Sequence, residues 1–384
     1  MGARVLWGVS LAALGAVAMM ACSQAGDSKR ETPTSSDDLI GGVDAKGHGL
    51  DAVGAIVAAD ATQTIDFCNG TLIGPKVVLT SKRCAVQYQN VTPDGGAPQQ
   101  VRTVLVDKYP LYFLTGANIA TPSHKVRIER VDLCVEPDTG GMDGFGCNVA
   151  VYHLQEAITD ITPLPFTDRP IGAERVGQRF STVAYGDVSQ DLTKQTLGQR
   201  HAGSLTLRAV SGSPMKAIYA TEADFVAAYT KAEGQAAATQ LSAALASYYE
   251  LPLQPDLEAW LGGAPGDAQT CLDDQGAPLL AKSPEGKLTI YGIASNPLGG
   301  AQTKCIPIGA PYAMLGPAAQ KLITTNLVDV CDNETAAGRC DGDVAIRCTS
   351  AEEGERRVTR SDCSEVLQHC VPPSAANPQV SCAD

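Results

Sequence analysis

The residues of this chain with the clearest capacity for chemistry are its 13 cysteines, because a thiol can form a disulfide, bind a metal or carry a lipid. None of them belongs to a Cys-x-x-Cys pair of the kind found at cytosolic redox sites. Abundant cysteine without such a pair favours an oxidising compartment outside the cytoplasm, where disulfides form and persist.

Six of the cysteines fall in the segment 328–384. A segment this short buries little apolar core, so disulfides are expected to stabilise it, and the sequence does not choose among the pairings. Zinc is the alternative, because Asp332, Asp341 and Asp343 are near these thiols. The segment has one histidine, His369, and no tight ligand pair, so no metal or other cofactor is predicted. The six are Cys331, Cys340, Cys348, Cys363, Cys370 and Cys382.

Residues 1–22 are typical of an export signal. Arg4 is followed by an apolar run, Val5–Met20, which is too short and too early for a membrane span. The run ends in Met-Met-Ala-Cys, which resembles a bacterial lipobox and predicts a lipid on Cys22. Without Cys22 the remaining 12 cysteines are an even number that can all pair. A secreted protein without lipid and a membrane-spanning anchor are the alternatives.

Polar residues 23–39, with Pro33, predict a flexible tether. Beyond it, short β-rich runs alternate with Gly, Pro and Asp, which predicts an all-β barrel or sandwich. The predicted strands are Val53–Val57, Val77–Thr80, Val101–Val106, Val149–Leu154, Phe180–Ala184, Ser204–Val210 and Leu288–Ala294.

A helical insertion is predicted at about 221–262, where the sequence becomes rich in alanine and poor in β-branched residues. Thr221, followed three positions on by Asp224, is typical of a helix start. A second, shorter helix is predicted over Asp256–Leu261, ending at two glycines. The expected packing residues are Phe225, Tyr229, Leu241 and Leu245.

The charge balance limits the partners. The chain has 29 Lys and Arg against 42 Asp and Glu, a net charge of −13, which argues against nucleic acid or an anionic lipid surface as the main partner. Hydrophobic residues make up 44% and charged residues 18%, so a disordered chain is excluded.

Three segments far apart in the chain, Leu39–Gly42, Phe67–Thr80 and Cys271–Leu279, carry a shared pattern. They resemble, in order, the start of the mature domain, the approach to the catalytic histidine and the nucleophile loop of the trypsin-like serine proteases, which have the chymotrypsin fold. The likeness covers about Ile40–Leu327. Further matches are Gly292–Ser295, Cys305, Pro311–Tyr312 and a closing helix near Ala318–Leu327.

The resemblance implies an all-β fold: a trypsin-like double β-barrel over 40–327, interrupted by the helical insertion and followed by a small disulfide-rich module at 328–384. It also implies the disulfides Cys68–Cys84 and Cys271–Cys305, which leaves Cys134 and Cys147 to pair with each other.

The positions that match the catalytic triad of that family are all changed. Arg83 stands where the resemblance implies the histidine, Asn148 where it implies the aspartate, and Gln275 where it implies the serine. A guanidinium keeps its proton and cannot act as a base, and an amide is not a useful nucleophile. In this family the aspartate-to-asparagine change alone costs about 10⁴-fold in turnover. At the oxyanion position, the carboxylate of Asp273 would repel a developing negative charge.

Two other positions carry family roles. Asp274 matches the aspartate that pairs with the amino terminus released by activation cleavage, here before Ile40. That residue follows Leu39 rather than Arg or Lys, so whether Asp274 finds this partner stays open. Gln269 matches the floor of the specificity pocket, where a neutral amide would not select for Lys or Arg side chains.

Replacement catalytic residues are a weaker prediction. Ser211-Gly212-Ser213-Pro214 resembles a nucleophile loop of some bacterial relatives, but no cysteine bracket follows it. The histidines outside the tail are expected to be surface or packing residues. They are His48, His124, His153 and His201.

The sequence therefore predicts a pseudoprotease: an exported serine-protease homologue, attached to the bacterial cell envelope through Cys22, that binds a protein or peptide ligand and does not cleave it. An active serine endopeptidase that uses displaced residues is the alternative. A further alternative is a structural envelope lipoprotein whose Cys-rich tail is adhesive.

Overall fold

The computed structural model of the chain describes residues 43–44, 50–59, 64–91, 99–134, 146–188, 197–271, 273–297, 305–327, 335–350, 356–363, 368–375 and 377–383. The predicted signal peptide and tether lie outside these residues, as do Cys22, Ile40, His48 and Cys331. Among the described residues, every helix is too short or too polar to cross a lipid bilayer.

The first half of the chain forms a closed antiparallel barrel with the strand order β2-β3-β4-β9-β8-β7. A separate two-stranded ribbon joins β5 to β6. The elements are β1 Val43–Asp44, β2 Val53–Ala59, β3 Thr64–Gly74, β4 Val77–Thr80, β5 Val86–Val91, β6 Gln99–Val104, α1 Leu105–Lys108, β7 Leu111–Thr115, β8 His124–Leu133 and β9 Ala150–Leu154.

The second half forms a six-stranded antiparallel barrel, in which pairing between β11 and β12 closes the order β11-β10-β13-β14-β15-β12. Strand β1 pairs with β11 from outside this barrel. The fold is therefore the trypsin-like double β-barrel. The strands are β10 Arg179–Ala184, β11 His201–Ala209, β12 Glu258–Leu261, β13 Pro278–Lys282, β14 Leu288–Ala294 and β15 Ala310–Met314.

Strand β2 shows how the two barrels join. Successive side chains of a strand point to opposite faces. Ile56 and Ala58 pack with the core inside the first barrel. Ala55 and Val57 belong to a different core, which also contains Val183 of the second barrel. Both faces of β2 are therefore buried, and the floor of the groove between the barrels is held in place by apolar packing.

The helical insertion separates β11 from β12. Thr221 and Asp224 form the predicted capping box, with each side chain bonded to the other residue's backbone N–H. Phe225, Tyr229 and Leu245 are buried as predicted, but the prediction for Leu241 was wrong, since 42% of its surface is exposed. The helices are α2 Pro214–Ile218, α3 Glu222–Glu233, α4 Gln235–Gln240 and α5 Ser242–Glu250.

The predicted helix over Asp256–Leu261 was wrong. Residues Glu258–Leu261 form β12, which pairs with both β11 and β15. All four residues are buried, and the Trp260 indole donates a hydrogen bond to the Ile308 carbonyl. Strand pairing that closes the second barrel therefore outweighs the helical preference of the local sequence. These long-range pairs form only when the second barrel is complete.

A closing helix, α6 (Pro317–Leu327), leads to the C-terminal module. Two disulfides of the module join Cys340 to Cys370 and Cys363 to Cys382, and Cys348 is disulfide-bonded as well. These five thiols are not free to bind zinc, and no group of three potential metal ligands occurs among the described residues. The strands are β16 Arg339–Asp341, β17 Val344–Ser350, β18 Arg356–Asp362, β19 His369–Val371 and β20 Ser381–Ala383.

The double barrel contains the three disulfides that the resemblance implies, Cys68–Cys84, Cys134–Cys147 and Cys271–Cys305. Disulfides at this density are typical of proteins exported to an oxidising compartment. Cys84 of the first disulfide directly follows Arg83, Cys147 of the second directly precedes Asn148, and Cys271 of the third comes four residues before Gln275. All three covalent bridges therefore support the segments of the candidate site.

Candidate functional site

Three loops meet where the two barrels face each other. Arg83 lies in a short 3-10 turn, Lys82–Cys84, just after β4. Asn148 comes two residues before β9, whose Ala150 pairs with Thr80 of β4. Gln275 lies in the loop before β13. These loops bring the three sequence-predicted positions together around the end of β14, at Ser295 and Asn296.

The side chain of Asn148 is buried, and both its oxygen and its nitrogen are hydrogen bonded. Its carbonyl oxygen accepts from the Ser81 hydroxyl at 3.1 Å and from the backbone N–H of Arg83 at 3.0 Å. Its amide nitrogen donates to the Ser295 hydroxyl at 2.9 Å. Burying a neutral amide is inexpensive when its donors and acceptor are satisfied, so this residue fits its site. It has no charge with which to stabilise an imidazolium.

Gln275 is 92% buried and reaches toward the second barrel. Its side-chain amide donates to the Asn296 oxygen at 3.0 Å. Since Asn148 bonds to Ser295 and Gln275 to Asn296, the two amides attach to consecutive residues. The half-buried Arg83 is the third member. The three side chains are thus a guanidinium and two neutral amides, and none of these groups accepts a proton as a general base does.

The loop that carries Gln275 is fixed from behind by Asn69, which is fully buried in β3. The Asn69 amide donates to the Asp273 carbonyl at 2.7 Å, and its oxygen accepts from the N–H of Tyr185 at 2.8 Å. Gly276 has a φ of +84°, and a Cβ there would lie 1.9 Å from the Asn69 carbonyl oxygen. Only glycine therefore permits this approach between the loop and β3.

Asp273, at the oxyanion position, is the next strained point, with a φ of +69°. Its neighbour Asp274 is almost fully buried, and its Oδ2 accepts from the Cys271 N–H at 2.8 Å. No cation among the described residues pairs with Asp274. Burial raises the pKa of this carboxyl well above its usual value, while the backbone N–H groups of Cys271 and Gly186 oppose the rise and the charges of Asp273 and Asp187 add to it.

Gln269 occupies the predicted pocket-floor position, and it is buried. Its amide nitrogen donates to the Thr270 carbonyl at 2.7 Å, and its oxygen accepts from the Gly309 N–H at 3.2 Å. Both ends of the amide therefore contact the protein backbone. The side chain braces the loops of the second barrel and is occupied by these two hydrogen bonds.

A buried glutamate connects the insertion to the site. Glu258 of β12 accepts hydrogen bonds from the backbone N–H of Gly146 and, at 2.7 Å, from that of Gln254. Gly146 is two residues before Asn148. Burial raises the pKa of Glu258, partly offset by these two bonds. The end of the helical insertion is therefore tied directly to the segment that carries Asn148.

The predicted replacement residues do not join the site. The Ser213 hydroxyl caps α2 and donates to the Tyr249 carbonyl. His153 is buried in β9, where its Nε2 lies 3.0 Å from Asp132 and 3.1 Å from Asn326 of α6. His201 is buried in β11. These histidines are packing residues, as the sequence predicted.

A hydroxyl, an imidazole and a carboxylate are in contact, in that order, on the first barrel. The Thr115 hydroxyl lies 2.8 Å from Nδ1 of His124, and Nε2 of His124 lies 3.1 Å from Asp160. Thr115 is only 2% exposed. A substrate carbonyl cannot reach a buried hydroxyl, so this chain of contacts joins β7 to β8 and offers no accessible nucleophile.

Sequence reasoning missed four residues that build the site: Asn69, Ser81, Ser295 and Asn296. Asn69 and the Asp273 carbonyl are 204 positions apart in the chain, and Asn148 and Ser295 are 147 apart. Only a weak signal for them was present in the sequence, since they are polar residues within apolar strands or at the ends of such strands. Polar residues at such positions are buried only when their donors and acceptors find hydrogen-bond partners.

Comparisons with known proteins add no family name. No protein-family model matches the chain, and no curated protein is significantly similar to it. The likeness to trypsin-like serine proteases therefore consists of the motifs in the sequence and the double β-barrel architecture.

Proposed function

We propose that this chain is a pseudoprotease: an exported serine-protease homologue that binds a protein or peptide ligand and does not hydrolyse it. One observation carries the proposal. The side-chain amides at two triad-equivalent positions are hydrogen bonded to consecutive residues, Asn148 to Ser295 and Gln275 to Asn296. A cluster of satisfied neutral amides holds the groove in shape and supplies no nucleophile or base.

Binding is the role that remains for such a groove. The floor between the barrels is packed, and loops from both barrels converge on it. Loops held by a rigid scaffold are where proteins of many folds recognise ligands. The helical insertion is linked to the Asn148 segment through Glu258 and adds surface that a ligand can contact.

Absence of hydrolysis is tested with the purified protein, a panel of fluorogenic peptides and a serine-reactive phosphonate probe. We expect no turnover and no labelling. Labelling that is lost in Ser211→Ala, or peptide turnover that is lost in His124→Ala, would establish an active enzyme that uses displaced residues and would overturn the proposal.

A variant with the family's residues restored at the triad and oxyanion positions tests whether the chain lacks only the reactive groups or also the architecture that would position them. Arg83→His, Asn148→Asp, Gln275→Ser and Asp273→Gly are introduced together, and the matched control omits only Gln275→Ser. Phosphonate labelling of the restored variant, without labelling of the control, is the expected result. Equal labelling of both would show that the reactive hydroxyl is elsewhere.

Attachment to the cell envelope is proposed through a lipid on Cys22, after removal of the export signal. Cys22→Ala is expected to move the protein from the membrane fraction to the soluble fraction. Continued membrane fractionation of this variant would contradict lipidation. Mass spectrometry of the mature amino terminus also shows whether the chain is cleaved before Ile40.

Affinity capture with the mature protein, read by mass spectrometry, tests the binding role. Capture that is lost when Gln275, in the amide cluster of the groove, is changed to Arg, with the exposed Arg127→Gln as control, supports recognition by the double barrel. Capture of the same partners by a protein lacking the double barrel would instead favour a structural role for the tail.

A further inference from the structure

A pocket of about 490 Å³ lies on a face that the proposed function does not use. Its walls are the connection between the barrels, at 165–175, and the turn at 283–287 between β13 and β14. Strand β13 starts three residues after Gln275 and carries the chain about 14 Å before this turn begins. The pocket is therefore at the opposite end of β13 from the candidate site.

The walls of the pocket are fixed by main-chain bonds. Phe166 forms a parallel bridge to Ile290 of β14. The Thr167 N–H donates to the Ile290 carbonyl at 2.8 Å, and the Ile290 N–H donates to the Pro165 carbonyl at 2.9 Å. The connection thus adds a short strand to the second barrel. A ligand would meet a largely preformed surface, which lowers the ordering cost of binding.

Arg175 is the central feature of the pocket. Its guanidinium carbon lies 4.5 Å from the ring centre of Phe180 and 4.6 Å from that of Tyr291, so it stacks on both rings. Its Nε donates to the Gln178 oxygen at 3.0 Å. These contacts fix the plane of the guanidinium while its two terminal amino groups have no hydrogen-bond partner among the described residues.

The carboxylates near Arg175 do not neutralise it. Within the described residues, no carboxylate oxygen lies within 4.0 Å of its nitrogens. Asp168 pairs with Arg169 at 3.1 Å instead, and both of these side chains are more than 80% exposed. Glu285 is fully exposed on the opposite wall, where the Ser283 side chain lowers its pKa and keeps it ionised. The half-buried Arg175 therefore lines the pocket with the donors of its two terminal amino groups unused by the described residues.

A fixed, unpaired guanidinium is matched by a planar carboxylate, which accepts two parallel hydrogen bonds. The apolar and aromatic surfaces of Phe166, Ile171 and Tyr291 would contact the body that carries it. The walls carry three carboxylates and three cations, so they have no net positive charge with which to favour a dianion such as phosphate over a single carboxylate. We propose that this pocket binds a single carboxylate on an apolar or aromatic body, as presented by the carboxy-terminal residue of a peptide or by a small organic acid.

The test compares an acid with its amide on the full chain. The probes are N-acetyl-phenylalanine, N-acetyl-phenylalaninamide, and a longer acetylated peptide that ends in phenylalanine as the free acid or the amide. We expect calorimetry or ligand-observed NMR to show that both acids bind and that both amides bind at least about tenfold more weakly. A peptide acid that binds more tightly than the small acid identifies a peptide terminus as the ligand; the reverse identifies a small acid.

Variants assign the binding to Arg175. Arg175→Lys keeps the charge but loses the paired N–H donors of the guanidinium, and it is expected to weaken binding of the acid about tenfold. The control, Arg127→Gln on the first barrel, is expected to leave binding unchanged. Glu285→Gln removes a competing charge and is expected to strengthen binding. Equal binding of acid and amide, no binding of either acid at millimolar concentration, or binding unchanged in Arg175→Lys would each overturn the proposal. The pseudoprotease proposal would stand in all three cases.

Discussion

Two neighbouring parts of the candidate site treat buried polar groups in opposite ways. Around Asn148, each polar atom is neutral and hydrogen bonded, and the side chain is almost completely buried. Asp274, which directly precedes Gln275, is buried with no cation beside it in the described residues, and only backbone N–H groups stabilise its carboxylate.

The difference shows that a buried neutral amide and a buried carboxylate have different energetic costs in this groove. A neutral amide can replace a catalytic group at low cost, provided that neighbours satisfy its donors and acceptor. A buried charge has no such solution without a counter-ion or a proton, which is why burial raises the pKa of Asp274. The hydrogen bonds of the amide cluster therefore compensate the cost of burying it. The buried carboxylate of Asp274 still lacks a counter-ion.

Removing the Asn148 amide is expected to have the largest effect on stability. Asn148→Ala removes a partner of the Ser81 and Ser295 hydroxyls and leaves the Arg83 N–H with only the Ser81 oxygen at 3.2 Å, so it should lower the free energy of unfolding by about 2–4 kcal/mol. Asn148→Asp keeps the acceptor and should cost less. Urea denaturation measures both, and equal losses would show that the cluster does not depend on its hydrogen bonds.

Neutralising Asp274 should act in the other direction. In the intact chain, Asp274→Asn removes a buried charge and is expected to raise the free energy of unfolding at pH 7 by about 1 kcal/mol or more. A chain that begins at Ile40 is the informative contrast, because a new ammonium group could pair with Asp274 and make the same substitution destabilising. A loss of stability in both chains would mean that the carboxylate already has a partner.

The same carboxyl should make stability depend on pH. Its folded-state pKa is above the unfolded value of about 4, so its contribution to stability is complete below that value and is lost as pH rises through the folded pKa. Asp274→Asn is therefore expected to flatten the fall in the free energy of unfolding between pH 4 and pH 8. Glu258, whose pKa is also raised, contributes in the same direction and remains in the variant. An unchanged slope would contradict the assignment to Asp274.

Of the four predicted effects on the free energy of unfolding, the loss of the Gln275 side chain should have the smallest. Gln275→Ala removes one hydrogen bond, to Asn296, at a position with 8% exposure, and should lower the free energy of unfolding by about 0.5–1.5 kcal/mol. Leu241→Ser, in the insertion and 42% exposed, is the control and should change it by less than about 0.5 kcal/mol. A loss at Gln275 as large as that of Asn148→Ala would show that the two amides form one cooperative unit.

The sequence predicted local features better than long-range ones. The capping box at Thr221 and the strands around Val77 and Leu288 depend on neighbours in the chain, and the structure confirms them. The strand at Trp260 was missed because its pairing partners are distant in sequence. The support that Asn69 and Ser295 give to the site could not be predicted for the same reason: their polar groups acquire partners only after both barrels have formed.

The attachment of two amides to the adjoining residues Ser295 and Asn296 also limits how such a chain can change over generations. On the proposed function, reversing one of the three substitutions restores no rate, because the other two positions remain unreactive, and at Gln275 it also breaks the hydrogen bond to Asn296. Natural selection then has no intermediate to favour on a path back to cleavage. On that function, descendants of this lineage are expected to diversify in the ligand that the groove binds.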